Sequence, residues 1–186
     1  YIRIAEFDSV TYDQFASALE DLEAQGMTGL VIDLRDNPGG NLDTVCDILD
    51  LILPEGTIVS TKDKNGEGET YTSDEEHKLE IPLSVLTNGN SASASEIFAG
   101  AVQDYGVGTL VGTTTFGKGI VQQIFPLTDG TSIKLTISEY FTPKGRNIHG
   151  TGIDPDVEVE YEYNEEDPAA DNQLEKAIEI VKGNGM

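Results

Sequence analysis

The 186-residue chain carries 34 acidic against 11 basic side chains, a formal net charge of −23, with 38% hydrophobic and 7% aromatic residues. That balance fits one globular domain with a real core and argues against nucleic-acid phosphates or anionic membranes as partners, since both need clustered Lys and Arg. One cysteine, Cys46, excludes an internal disulfide and a cysteine-rich zinc site, and with only His77 and His149 there is little to build a histidine triad or a metal centre.

Residues 1–7 alternate like a strand, and 8–11 form a turn with cap candidates. The spacing of Phe15, Ala18, Leu19 and Leu22 predicts a helix over 12–25, stopped by Gly26. Residues 29–34, Gly-Leu-Val-Ile-Asp-Leu, read as a strand buried on both faces. A tight turn, Arg35-Asp-Asn-Pro-Gly-Gly40, leads into a second helix over 42–53, where Cys46 lies among Val45, Ile48 and Leu49 as a buried thiol. Residues 57–80 suggest a hairpin turning at Asn65-Gly66, with a charged, mobile flank around 73–78. The apolar run 81–87 is a further strand, followed by Asn88-Gly-Asn-Ser-Ala-Ser-Ala-Ser95 and a helix carrying Ile97, Phe98, Ala101 and Val102. This second strand-turn-helix repeats the design of the first, which argues for an α/β fold with ligands at the carboxyl ends of the strands. Residues 109–112 form a short strand, 113–119 a loop with Lys118 between two glycines, and 120–127 and 131–141 a hairpin across Asp129-Gly130. After an irregular stretch with a terminal strand, residues 164–171 form an acidic connector and 168–182 a closing helix with Leu174, Ala177, Ile178 and Val181 inward.

Three serines, Ser91, Ser93 and Ser95, lie where a helix N-terminus offers unpaired N–H groups. Ser93 with Glu96 also satisfies a capping box, so residue pattern alone leaves cap and nucleophile both open. A serine nucleophile needs a base, and a lysine base must be neutral, which calls for desolvation. Lys118 is the candidate, set in a glycine-flanked loop ahead of an apolar strand; at strand period Lys118, Ile120 and Gln122 share a face, so Gln122 could orient the amine without adding charge. The N–H of Ala94 and that of Gly39 or Gly40 are candidate donors to a developing oxyanion. Asp104, an acid in the last turn of its helix, is expected to serve a structural salt bridge.

Asp33-Leu-Arg-Asp-Asn-Pro-Gly-Gly40, Asn90-Ser-Ala-Ser-Ala-Ser-Glu-Ile97, Thr115-Phe-Gly-Lys-Gly119 with Gln122, and the stretch from Gly145 to Asp156 together resemble the C-terminal processing peptidases, or tail-specific proteases, in order along residues 1–182. The resemblance implies a crotonase-like (ClpP-like) α/β core of strand-turn-helix units with a C-terminal β-hairpin and helix, here a catalytic core over 1–163 and a connector and helix over 164–186. It selects Ser93 as nucleophile, Lys118 as base, Gln122 as its support, and Gly39 and Ala94 as oxyanion donors, with no metal or organic cofactor. It further implies protein or peptide substrates taken by their C-terminal tails, a PDZ domain in the full-length chain that these motifs do not include, action outside the cytoplasm, and leaves a homo-oligomer open. The rival expectation is a non-catalytic module on the same fold that holds a peptide or an apolar ligand.

Overall fold

The computed structural model describes residues 1–74 and 76–183. Glu75 of the charged flank and the last three residues of the C-terminal segment lie outside the described residues. Five strands, β1 (Ile2–Arg3), β2 (Leu30–Asp33), β5 (Leu83–Thr87), β6 (Thr109–Gly112) and β9 (Val157–Glu158), form one parallel sheet in the order β1-β2-β5-β6-β9. The crossovers are α1 (Thr11–Ala24) between β1 and β2, α2 (Leu42–Asp50) after β2, and α3 (Ala94–Tyr105) between β5 and β6.

Why the strands read as unbroken apolar runs is plain from their alternation, because both faces are covered. Leu30, Ile32, Leu83, Val85 and Leu110 point into the main core with Phe15, Ile48, Leu49, Ile97 and Phe98 of α1, α2 and α3. Their neighbours Val31, Leu86 and Val111 face the other way, against Ala177, Leu174 and Ile178 of the closing helix α4 (Asn172–Val181). α4 starts four residues later than the helix expected from 168, because Asp171 caps it by accepting the Leu174 N–H at 2.9 Å. Its acidic N-terminus is tied down by Arg35. The guanidinium reaches Asp33 Oδ2 at 2.6 Å, Asp171 Oδ2 at 2.8 Å and Gln173 Oε1 at 3.0 Å. Desolvation works against this charge, yet the hydrogen bonds it donates to both aspartates more than offset it and hold Arg35 above its ordinary pKa. The Asp33 side chain is 2% exposed, so removing its cation strands a buried carboxylate. Arg35→Ala is therefore expected to cost about 3 kcal/mol of stability; a urea melt showing less than about 1 kcal/mol would contradict that role.

The two hairpins inferred separately from sequence belong to one layer. Strands β3 (Gly56–Lys62), β4 (Thr70–Ser73), β7 (Ile120–Pro126) and β8 (Ser132–Phe141) make a four-stranded antiparallel sheet in the order β4-β3-β8-β7. Only the base of β8, Glu139–Phe141, pairs with β3, so most of the β7–β8 hairpin projects as a two-stranded ribbon. Burial of Cys46, and then the charges of Asp43 and Asp47, push its thiol up to about 12, which makes it inert, as its apolar setting suggested. Asp104 pairs with Arg146 at 2.5 Å and accepts the Lys144 N–H at 2.9 Å, the structural role expected of it. No helix among the described residues is long and apolar enough to cross a membrane.

Candidate active site

β2 and β5 are adjacent and parallel, which sets the loops that leave their carboxyl ends side by side. Residues 34–41 after β2 and 88–93 after β5 are stitched together through Asn37. Its carbonyl accepts the Ala92 N–H and the Ser95 hydroxyl, each at 3.0 Å, and its side-chain amide donates to the Ile4 carbonyl at 2.8 Å. The helices that follow, α2 and α3, begin at this seam.

Structure separates the three serines that sequence pattern could not. Ser91 is buried and its hydroxyl donates to the Leu34 carbonyl at 2.8 Å; Ser95 is buried and spends its hydroxyl on Asn37. Both are braces. Ser93 is half-buried and opens onto a cleft of about 840 Å3 whose wall also carries Gly39, Ala94, Lys118, Gln122 and Tyr140. Its backbone sits at φ 57°, ψ −115°, a conformation that costs a non-glycine residue on the order of 1–3 kcal/mol. That strain turns Ser93 outward at the first turn of α3. The expected capping box forms by half: Glu96 Oε2 accepts the Ser93 N–H at 2.9 Å, while the Ser93 hydroxyl makes no cap bond and the Glu96 N–H goes to the Ser93 carbonyl at 2.8 Å. Ala94, 1% exposed, starts the helix, and among the described residues nothing accepts its N–H.

Glu96 is the residue whose role residue pattern understated. Fully buried, it uses both carboxylate oxygens purely as acceptors. Oε1 takes the Thr115 hydroxyl at 2.6 Å and the Gly117 N–H at 2.7 Å; Oε2 takes the Lys118 N–H at 2.7 Å besides that of Ser93. One carboxylate thus joins the serine turn to the lysine loop. Tyr140 closes the same junction from β8, its hydroxyl 2.6 Å from the Lys118 carbonyl and 3.0 Å from the Ser93 carbonyl. Burial, and then the charge of Glu96, raise the Tyr140 phenol well above its ordinary range, so it stays a neutral donor. The signal for Glu96 was its place in a run whose capping box explained it too readily.

Two expected contacts differ. The Gln122 amide donates to the Thr136 hydroxyl at 3.4 Å, not to the lysine, because Thr136 stands directly opposite it on β8 and cross-strand partners share a face. Among the described residues the Lys118 amine has no hydrogen-bond or ion-pair partner, Ser93 included, although both side chains line one cleft. Gly39 approaches the serine turn so closely that a Cβ there would fall 2.6 Å from the Ala92 carbonyl oxygen and 2.8 Å from the Ala94 nitrogen. Its N–H, however, donates to Asn37 Oδ1 at 2.8 Å. Neither His77 nor His149 lines the cleft.

Residues 1–159 match the family model described as Peptidase family S41. The chain belongs to that family. Among curated relatives, it is 45% identical over 186 residues to a carboxyl-terminal-processing protease of Synechocystis, covering 98% of this chain and 44% of the relative. It is 44% identical over 160 residues to the carboxy-terminal processing protease CtpB of Bacillus subtilis, covering 86% of this chain and 33% of the relative. Among solved structures, a photosystem II D1 C-terminal processing protease superposes with a TM-score of 0.80 at 33% identity, over 99% of this chain and 46% of that one. The chain therefore spans less than half the length of these S41 relatives. The tricorn protease, at 22% identity and a TM-score of 0.65, shares the fold, in keeping with the ClpP-like core that the sequence motifs imply.

Proposed function

We propose that the chain is the catalytic core of a serine endopeptidase that cleaves proteins near their C-termini through a Ser93/Lys118 dyad. The observation that carries this is Ser93 itself: strained outward, its hydroxyl free of cap bonds, in one cleft with a lysine amine that has no partner among the described residues and beside the open N–H of Ala94. In the proposed reaction the Lys118 amine swings on its flexible stem to the Ser93 hydroxyl once substrate fills the cleft. Ser93 Oγ attacks the scissile carbonyl carbon as its proton passes to Lys118 Nζ. The oxyanion is held by the Ala94 N–H and by the Gly39 N–H, which Asn37 Oδ1 hands over. The C–N bond then breaks as the ammonium returns its proton to the leaving amine, and a water activated by the same lysine hydrolyses the acyl-enzyme. Gln122 steadies the amine after exchanging Thr136 for it. Nothing in this sequence of steps calls on a metal or an organic cofactor.

Recognition of the substrate tail belongs, in this proposal, to parts of the longer protein such as a PDZ domain, and its work lies outside the cytoplasm. Ser93→Ala and Lys118→Ala should each abolish cleavage of a tail-bearing protein by the full-length enzyme while its thermal melt stays close to the parent's. Substantial turnover by either variant would sink the dyad. What favours a non-catalytic peptide-binding module instead is that no hydrogen bond joins the Ser93 hydroxyl to the Lys118 amine among the described residues. A fluorophosphonate probe separates the two, since it labels Ser93 only if the serine is activated.

A further inference from the structure

Among the described residues the projecting part of the β7–β8 hairpin has no strand partner that accounts for its surface. Beyond the Ile120–Val121 end of β7, these strands pair there only with each other, and two-stranded hairpins are marginal in water on their own. Phe125 lies directly opposite Ile133 and Gln123 opposite Leu135, so Phe125, Ile133 and Leu135 share one face, and all three are exposed. Residues 120–137 carry one acid, Asp129, and one base, Lys134, in a chain whose net charge is −23. β7 is the edge strand of its sheet, so the N–H and C=O groups along its outer side have no strand partner among the described residues. Natural proteins usually blunt such an edge with charge, Pro or a covering element. Here Pro126 blunts only the far end of the edge, and the rest of β7, Ile120 to Phe125, is left uncharged.

The ribbon is continuous with the cleft. β7 begins two residues after Lys118, and Val121, Gln123 and Ile137 line the cavity that holds Ser93. At this point Val121 opposes Ser138 while Gln122 opposes Thr136, leaving Ile137 as a bulge that adds twist where the ribbon leaves the cavity. A strand laid along the outer edge of β7 would end at the cavity that Ser93 and Lys118 line.

We propose that the β7 edge and the apolar face of this ribbon take up an extended, apolar stretch of the substrate polypeptide as an added strand, feeding it to Ser93. Main-chain hydrogen bonds to the edge would supply grip irrespective of sequence, and Phe125, Ile133 and Leu135 would favour alternate apolar side chains. Neutrality of the ribbon lets a chain of either charge approach without the repulsion that the rest of this acidic surface presents. The proposal rests on the protease reading, and its test is arranged so that the two can fail separately.

The experiment measures binding in the Ser93→Ala background of the full-length protein, by fluorescence anisotropy of a short labelled peptide rich in Val, Leu and Phe. A Ser/Gly peptide of equal length and the apolar peptide N-methylated at alternate amides serve as comparisons. Phe125→Ser with Leu135→Ser should weaken binding of the apolar peptide by at least about tenfold, since both substitutions remove apolar contact area from the peptide's path. Both residues are exposed, so the variant keeps its melt; methylation should weaken binding comparably and the Ser/Gly peptide should bind poorly. Equal affinity of parent and variant, no binding by the parent, or a dimer that the variant dissolves in sedimentation would each overturn the proposal, the last because a second copy then covers the face. If binding behaves as expected but the parent serine enzyme cleaves nothing, the protease reading fails and the ribbon stands.

Discussion

Glu96→Gln is expected to lower cleavage by at least about 100-fold, because it unties the serine turn from the lysine loop. Glutamate offers two acceptor oxygens to four donors: Ser93 N–H, Lys118 N–H, Gly117 N–H and the Thr115 hydroxyl. Glutamine keeps one oxygen and turns an NH2 group on the other pair. Thr115 could not fully absorb the change, since its hydroxyl oxygen already accepts the Ile153 N–H at 2.8 Å. With Gln in place at least one buried N–H faces a donor, which costs about 1–3 kcal/mol of stability. The same rearrangement moves the Lys118 backbone relative to Ser93, and a shift of about 1 Å at reacting groups is enough for the expected rate loss. Glu96→Asp keeps the charge but is one methylene short, so it should not restore activity. Because Glu96 acts through position and does not exchange protons with substrate, the residual activity of Glu96→Gln should keep the parent's pH profile. A changed profile, or kcat within a few-fold of the parent, would remove Glu96 from the positioning machinery.

How far the sequence discloses this arrangement depends on the range over which each signal acts. The strands β2 and β5 and the helices α2 and α3 are local: apolar runs, glycine stops and a proline suffice to place them to within a few residues. The covering of the parallel sheet by α4 is also visible, since Leu174, Ala177 and Ile178 repeat at helical spacing. What no local pattern holds is pairing between distant elements. That β3 joins β8 depends on strands some 80 residues apart in chain, and so the two hairpins read as separate units. The serines differ for the same reason: Ser91 and Ser95 are settled by carbonyls of the Leu34–Asn37 loop, more than fifty residues away. The partner of Gln122 follows from the register of the β7–β8 hairpin, which a bulge shifts by one residue, while that of the Gly39 N–H lies only two residues away at Asn37. A capping box is a short-range rule obeyed only by half at Ser93, whereas the Asx turn in which Asn37 Oδ1 accepts the Gly39 N–H is obeyed in full.

Gly39→Ala should abolish most activity through geometry that can be stated atom by atom. Gly39 sits at φ 103°, which side-chain-bearing residues rarely adopt, and its Cβ would meet Ala92 O at 2.6 Å, Ser93 Cβ at 2.7 Å and Ala94 N at 2.8 Å. None of these neighbours is the end of a flexible side chain, so the loop or the serine turn must move. The added methyl also lies where an acceptor for the Ala94 N–H would be. Losing one oxyanion donor typically costs 10²–10³ in kcat (about 2.7–4 kcal/mol), and displacing the serine can only add to that. Gly26→Ala supplies the comparison: it too has a positive φ, 80°, but a Cβ there meets nothing within 4 Å. It should lose on the order of 1 kcal/mol of stability from backbone strain while retaining the parent's kcat. Urea melts and separate kcat and KM values for the two variants would distinguish strain in general from obstruction at this position. Parent-like kcat in Gly39→Ala would mean that the oxyanion is held elsewhere, with Gly40, the exposed neighbour whose backbone also borders the cleft, as the next residue to test.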